Sequence, residues 1–277
     1  MTNRQIQIAH IPDDDLRPDH FTMTEVPMPV PGDNEILIKV ILMSIDAANR
    51  SWMKGATYRD AVKAGDAMPT YAVAQVVQSN STKFAAGDIV AAEATWSDYA
   101  VCNARAAVKL PDIRPLSNML SVYGVAGKTA FHGLVDVGAA LAGETVLVSA
   151  AAGSVGGYVG QIAKAIGCRV VGIAGGAEKC ARVVDDLGFD ACVDYKDPGF
   201  FKALRAACPA GVDVYFDNVG GKTLDAVLNC MNTFGRIIGC GMIGDYNDQD
   251  NPTPIFNMWK LVEKELTLRG LLLYRYM

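Results

Sequence analysis

One run, TVLVSAAAGSVGGYVGQIAKAIG at residues 145–167, limits the fold of this chain more than any other segment. It opens on a short apolar stretch, passes through small residues, and enters a pattern in which Val155, Val159, Ile162, Ala163 and Ile166 recur at i, i+4, i+7, i+8 and i+11. That order predicts a strand, a turn poor in side chains, and an amphipathic helix. The alternation then repeats: CRVVGIA, a helix through EKCARVVDDLG, ACVDY, a helix through FFKALRAAC, VDVYFDNV, another helix, GRIIGCG, and LTLRGLLLYRY as a last strand. Repeated βα units predict an α/β domain with a doubly wound parallel sheet, covered by helices on both faces.

The first 120 residues read differently. Short apolar segments, EILIKVILMSID, YAVAQVVQS, GDIVAAE and SDYAVC, are broken by Pro and Gly, and Gly87-Asp88 marks a turn feeding a strand. The expectation is a β-rich, mostly antiparallel or barrel-like domain over residues 1–120 and a parallel α/β domain over residues 121–277.

Composition removes several classes of function. Lys and Arg number 25 against 30 Asp and Glu, a net charge of −5 with no basic run, which disfavours nucleic-acid binding. No uncharged apolar run is long enough to span a bilayer, and the first residues, MTNRQIQIAHIPDDD, lack the apolar region of a secretory signal. The seven cysteines form no CxxC pair, and none of the three histidines stands at metal-ligand spacing from a cysteine. A reduced, cytoplasmic setting without a bound metal is expected.

In the turn, Ala151, Gly153 and Gly156 occupy the three small positions of a G-x-G-x-x-G pattern. Small residues there let backbone approach a pyrophosphate, whose charge faces the open N–H groups of the following helix. Tight packing between helix and strand would also demand them, so the spacing alone leaves both explanations open. Its place between a predicted strand and helix, inside a series of βα units, favours a dinucleotide. An NAD site carries an Asp or Glu about 20 residues further on, for the ribose hydroxyls. Here the next strand ends in GIAGGAEK, without an acid at that point. Lys179 and Tyr195 stand where a cation and a phenol would meet an adenosine 2′-phosphate. NADP(H) is therefore the expected cofactor, although Lys179 also fits a solvated surface lysine and Tyr195 a rim aromatic.

Taken together, SAAAGSVGGYVGQIAK, GCRVVGIAGGAEKC, LGFDACVDYK, DVYFDNVGG, GRIIGCGMIGDY and KELTLRGLLL, with SIDAANRSWM and GKTAFHGL upstream, resemble the zinc-independent medium-chain reductases. Within them the chain is most similar to the group of leukotriene B4 12-hydroxydehydrogenases, prostaglandin reductases, curcumin reductases and alkenal double-bond reductases. The resemblance covers nearly the whole chain. It implies a GroES-like catalytic domain followed by a Rossmann domain. It also implies coenzyme contacts at Gly153, Ser154, Val155 and Gly156, at Lys179 and Tyr195, at Asn218, at Cys240, Gly241, Met242, Ile243 and Tyr246, and at Leu271, Leu272 and Leu273. Where many relatives carry D-P-Y-M-R, this chain has Asp46-Ala47-Ala48-Asn49-Arg50, so the aromatic is replaced by Ala48. The family continues past the LLLYRY equivalent with a return segment to the catalytic domain. Because the chain ends at Met277, either a truncation or a covering partner surface is expected.

The chemistry the resemblance implies is hydride transfer from NADPH to the β-carbon of an α,β-unsaturated ketone or aldehyde, with a donor at the carbonyl oxygen. Tyr58 is the first candidate donor and Tyr274 the second, while Asp46, Asn49 and Arg50 are expected to anchor their loop. A quinone reductase of the same superfamily and an NADPH-binding protein without turnover stand as alternatives. The apolar last strand predicts a homodimer paired through a sheet edge.

Overall fold

The computed structural model describes residues 2–13, 15–248 and 250–276, and the chain divides into two compact units, Met1–Leu120 and Ser121–Met277. In the first unit β1 (Thr2–Ile8) and β2 (Phe21–Pro27) form an antiparallel pair. They are followed by β3 (Glu35–Met43), α1 (Ala47–Lys54), β4 (Pro69–Ser79), β5 (Ile89–Thr95), β6 (Tyr99–Asn103) and β7 (Val108–Lys109). The last five strands make one antiparallel sheet in the order β6-β3-β4-β5-β7. Its buried face is lined by small and branched residues such as Ile36, Ile38, Ala72, Ala74, Val90 and Ala92. The turn at Gly87 takes a positive φ of 96°, a conformation that glycine reaches without a steric penalty.

Two elements of this unit depart from the sequence reading. The β1–β2 pair was not anticipated, because TNRQIQI and FTMTEVP are half polar and most of their residues stay at least partly exposed. The segment after Asp46, read as a loop, is the helix α1. Its start is tied locally: Asn49 Oδ1 accepts the Asp46 N–H at 2.8 Å, and Ser44 Oγ donates to Asp46 Oδ2 at 2.7 Å. Asn49 Nδ2 also donates to the Pro69 carbonyl at 3.0 Å, which joins the helix to β4.

The second unit runs α2 (Val125–Phe131), continued by a π-helical turn at His132–Val137, then β8 (Thr145–Ser149), α3 (Ser154–Ile166), β9 (Arg169–Ala174) and α4 (Ala177–Asp185). After these come β10 (Ala191–Asp194), α5 (Phe200–Ala207), β11 (Val212–Asp217), α6 (Gly221–Leu228), β12 (Met231–Gly239), α7 (Trp259–Glu263) and β13 (Thr267–Gly270). All six strands are parallel, in the order β10-β9-β8-β11-β12-β13. The central strand β8 is buried along its whole length, which is why it reads as an unbroken apolar run rather than an alternation. Val146 and Val148 enter one core layer with α2, α3 and α4, while Leu147 enters the other with α5, α6 and α7. Strand order reverses between β8 and β11, so the carboxyl ends of those two strands flank the switch point of the sheet.

The last strand is shorter than LTLRGLLLYRY suggests. Leu271 N–H still donates to the Gly239 carbonyl at 2.9 Å, but the chain then bends into a 3₁₀ turn at Leu273–Arg275. The bend follows from packing. Leu271 seats against Gly133, where a Cβ would lie 2.8 Å from its Cδ2, and Leu273 is buried. Strand β13 forms the edge of the sheet, and its four residues are exposed.

Helix α3 lies close on its layer because Gly160 has no side chain. A Cβ there would stand 1.9 Å from Cζ of Phe189, a ring that is itself buried. Gly160→Ala is therefore expected to destabilise the fold by about 1–3 kcal/mol. In a thermal melt this reads as a loss of about 2–8 °C relative to the parent chain.

Candidate functional site

All the loops that carry the candidate coenzyme residues leave the carboxyl ends of the parallel strands in the second unit: 150–153 after β8, 175–176 after β9, Tyr195 after β10, Asn218–Gly220 after β11, Cys240–Tyr246 after β12 and Leu271–Leu273 after β13. In open parallel sheets this edge, at the strand-order reversal, is where ligands bind.

The centre of the site is the turn between β8 and α3. Gly153 is the N-cap of the 13-residue helix α3, and no side chain caps it. The first intrahelical bond runs from Gly157 N–H to the Gly153 carbonyl at 2.9 Å. Among the described residues the N–H groups of Ser154, Val155 and Gly156 find no protein acceptor. Gly153 and Ser154 are exposed, Val155 is half-buried and Gly156 is buried, so the mouth of the turn faces solvent with the deeper donor behind it. At Gly156 a Cβ would lie 2.4 Å from the Ala150 carbonyl oxygen, so the turn closes only over glycine. The open donors, the bare backbone and the positive end of the helix fit a pyrophosphate.

A second group forms at the ends of β9 and β10. The ring of Tyr195 lies across Gly175, where a Cβ would meet its Cε1 at 2.8 Å, and Lys196 Cε lies 3.1 Å from the same point. Tyr195 and Lys179 are exposed, and among the described residues neither Lys179 nor Lys196 is paired with a carboxylate. The acid absent from the end of β9 stands instead at the end of β10. Asp194 Oδ1 accepts the N–H groups of Gly176 and Lys196, both at 2.9 Å, and these two bonds hold its carboxyl below the ordinary aspartate value. Its charge is thus committed to backbone, fixing the turn that leads to Lys179. Sequence reasoning missed both Asp194 and Lys196, although each adjoins Tyr195 in VDYK.

The third group spans the switch point. Asp217 Oδ1 accepts from Tyr215 Oη at 2.7 Å, Ser149 Oγ at 3.1 Å, and the N–H groups of Val219 and Gly220 at 3.0 Å each. Burial pushes the Asp217 carboxyl up, and the two backbone and two hydroxyl donors act against it. Burial and the same carboxylate push the Tyr215 phenol well above its ordinary value. Asn218 is fastened beside them: its N–H donates to Ser149 Oγ at 2.9 Å and its Nδ2 to the Ser149 carbonyl at 2.8 Å. None of Ser149, Tyr215 or Asp217 was singled out from the sequence; the one available signal was Asp217 inside DNVGG.

Beyond β12, Gly241 lies between the Asn218 carbonyl and Tyr246, where a Cβ would stand 3.2 Å from the former and 3.3 Å from the Tyr246 hydroxyl. Burial pushes the Tyr246 phenol above its ordinary value, with Met242 backbone acting in the opposite sense. Burial together with Asp217 pushes the Cys240 thiol up to about 12. Met242 and Ile243 are exposed. Leu271 and Leu272 are half-buried, Leu273 is buried, and Tyr274 is exposed. Tyr58 lies in the first unit, on the exposed segment after α1, with its ring edge-on to Trp52 at 6.3 Å.

Comparison with known proteins places the chain among relatives of known family. Residues 4–110 match a family model described as the N-terminal domain of oxidoreductase, and residues 154–277 match one described as zinc-binding dehydrogenase. The NADPH-dependent curcumin reductase of Escherichia coli is 39% identical over 98% of this chain and 80% of its own length. The NADP(+)-dependent 2-alkenal reductase of Nicotiana tabacum is 38% identical, over 88% of this chain and 73% of its own. The crystal structure of CurA in complex with NADPH from Vibrio vulnificus matches with a TM-score of 0.91 at 38% identity, covering 98% of this chain and 82% of that one. Despite the wording of the second family model, among the described residues no group of three or more His, Cys, Asp or Glu is placed to hold a metal ion.

The glycine turn yields a direct test. Gly156→Ala forces the Ala150 carbonyl away and re-aims the open N–H groups. It is expected to weaken NADPH binding, followed by fluorescence titration, about tenfold or more, the loss of one or more charge-assisted hydrogen bonds.

Proposed function

This chain belongs to the medium-chain dehydrogenase/reductases, in the zinc-independent group that includes curcumin and alkenal reductases, and from that premise we propose that it is an NADPH-dependent reductase of the C=C bond of α,β-unsaturated ketones and aldehydes. The observation that carries the proposal is the set at the β9 and β10 ends, two lysines that form no ion pair among the described residues and a phenol with the local acid turned to backbone, in a chain that aligns over most of its length with an NADPH complex.

Each part of the coenzyme has residues suited to it. The N–H groups of Ser154, Val155 and Gly156 receive the pyrophosphate, while Lys179, Lys196 and the Tyr195 hydroxyl receive the 2′-phosphate. Asn218, the Cys240–Ile243 strand exit and Leu271–Leu272 flank the nicotinamide end. When bound, the reduced nicotinamide supplies a hydride to the β-carbon of the conjugated carbonyl. The chain's own task is to orient that carbonyl and place a donor where charge grows on its oxygen. Tyr246 suits the task within the second unit, because its phenol, pushed above its ordinary value by burial, stands beside Gly241 at the exit of β12. Tyr58 is the candidate from the first unit. Tyr274 fits less well, since it is 55% exposed and follows a residue turned into the core.

The test is oxidation of NADPH with an enone, then with a quinone, alongside NADPH and NADH titrations. Enone turnover is expected. Turnover with the quinone alone, or binding without turnover, overturns the reading. Lys179→Glu is expected to reduce the preference for NADPH over NADH about tenfold or more, as a phosphate loses a cation and gains a repelling charge.

The exposed edge strand β13 also supports a homodimer that continues the sheet from one chain into the other. Sedimentation velocity at micromolar concentration is expected to give a dimer, and a monomer there overturns the assignment. All seven cysteines are free thiols, which suits a reducing cytoplasm. Among the described residues no helix is long and apolar enough to cross a membrane.

A further inference from the structure

A cleft of about 370 Å³ in the second unit is formed by α6, the first turn of α5 and the segment 253–257 ahead of α7. Its volume falls within the range that holds small ligands. None of the residues assigned above to the coenzyme lines it. The apolar part of its wall is Phe201 from α5 with Pro254 and Phe256 from the segment before α7. Phe256 is 81% exposed and Phe201 42% exposed, so two aromatic rings on one cleft stand in water.

The backbone beneath Phe256 is held by an acid on α6. Asp225 Oδ1 accepts the N–H groups of Phe256 at 2.6 Å and Asn257 at 2.7 Å, and its Oδ2 accepts from Asn257 Nδ2 at 2.8 Å. The same three bonds decide the charge of the cleft. Asp225 follows Lys222 by three positions, the spacing at which a carboxylate and a lysine meet on a helix. Yet among the described residues Lys222, which is exposed, forms no ion pair. The ammonium stands in the first turn of α6, at the positive end of the helix, with the neighbouring acid committed elsewhere. Arg205 Cζ lies 5.8 Å from the centre of the Phe201 ring and adds a second positive charge at that wall.

We propose that this cleft is a binding site for a small aromatic carboxylate, whose ring lies against Phe201 and Phe256 and whose charge is met by Lys222 Nζ. The chemical class follows from the lining. A neutral aromatic molecule would leave the ammonium to water alone. A small anion without a ring would leave Phe256 as exposed as before. A dianion such as a phosphate ester would place its extra charge near Asp225, which keeps its own. A single negative charge on a flat apolar body suits both parts of the wall. Binding is reversible and involves no covalent step, and it does not depend on the coenzyme reading.

The experiment titrates the full chain with 2-naphthoate by calorimetry, with and without saturating NADPH. Its neutral counterpart, 2-naphthylmethanol, and the ringless anion acetate are the controls. Saturable binding of one naphthoate per chain is expected, and it persists when NADPH is present. Each control is expected to bind about tenfold or more weakly, as the charge-assisted contact or the ring contact is lost. Lys222→Gln is expected to raise the naphthoate dissociation constant about tenfold or more, and Lys222→Arg to keep most of the affinity. Phe256→Ala, exposed and outside the core, is expected to weaken naphthoate as well while leaving the thermal melt and the NADPH titration unchanged. Absence of saturable binding overturns the proposal. So does displacement of naphthoate by NADPH, a neutral counterpart that binds as tightly, or a Lys222→Gln chain that holds naphthoate as the parent does.

Discussion

One carboxylate oxygen organises the second unit. Asp217 Oδ1, at the end of β11, takes hydrogen bonds from two hydroxyls and two backbone N–H groups, and one of those hydroxyls belongs to Ser149 at the end of β8. Burying a carboxylate is costly unless its lone pairs are met, and here they are met by groups that would themselves be left unsatisfied without it. Each such orphaned donor costs about 1–3 kcal/mol, so the network holds together or fails together. Because its two anchor strands lie on either side of the reversal in strand order, the network fixes the spacing of the switch point and the path of the chain into α6. Asn218, held twice by Ser149, is positioned as a by-product of the same arrangement.

A similar device recurs at the rim. Asp194 at the end of β10 gives its charge to two backbone N–H groups, which fixes the turn before α4, and among the described residues neither Lys179 nor Lys196 forms an ion pair. The two acids act in one way: each sits at a strand end and fastens the loop that follows, so that the residues meant for a ligand are not the ones that hold the loop. The α3 turn reaches the same result without an acid. Gly153 and Gly156 let the backbone close on itself, and the helix N-terminus is left open for an anion.

How much of this the sequence carries depends on the range of the interaction. The βα alternation is local, and it gave the six parallel strands and the face of α3 formed by Val155, Val159, Ile162, Ala163 and Ile166. The glycine turn is local too. The Asp217 network is not, since Ser149 and Asp217 are 68 residues apart and neither is unusual in its own neighbourhood. Helix α1 escaped notice because its start relies on side-chain bonds within a polar stretch rather than on an apolar period. The early end of β13 escaped because Leu271 and Leu273 look like strand residues until Gly133 supplies a place for the chain to turn inward. Lys196 was passed over beside Tyr195 because nothing in the sequence shows that its stem lies along Gly175.

The ring of Tyr195 resting on Gly175 bears on how coenzyme choice can drift. A carboxylate introduced at position 175, where it would serve an unphosphorylated ribose, has to pass through the space the phenol already fills. The aromatic must shrink before the acid can enter, and on the proposed coenzyme reading the shrunken form gives up one phosphate donor before it gains a ribose ligand. The intermediate grips neither nucleotide well. Descent from one preference to the other therefore crosses a trough, which makes the existing choice hard to reverse by single steps.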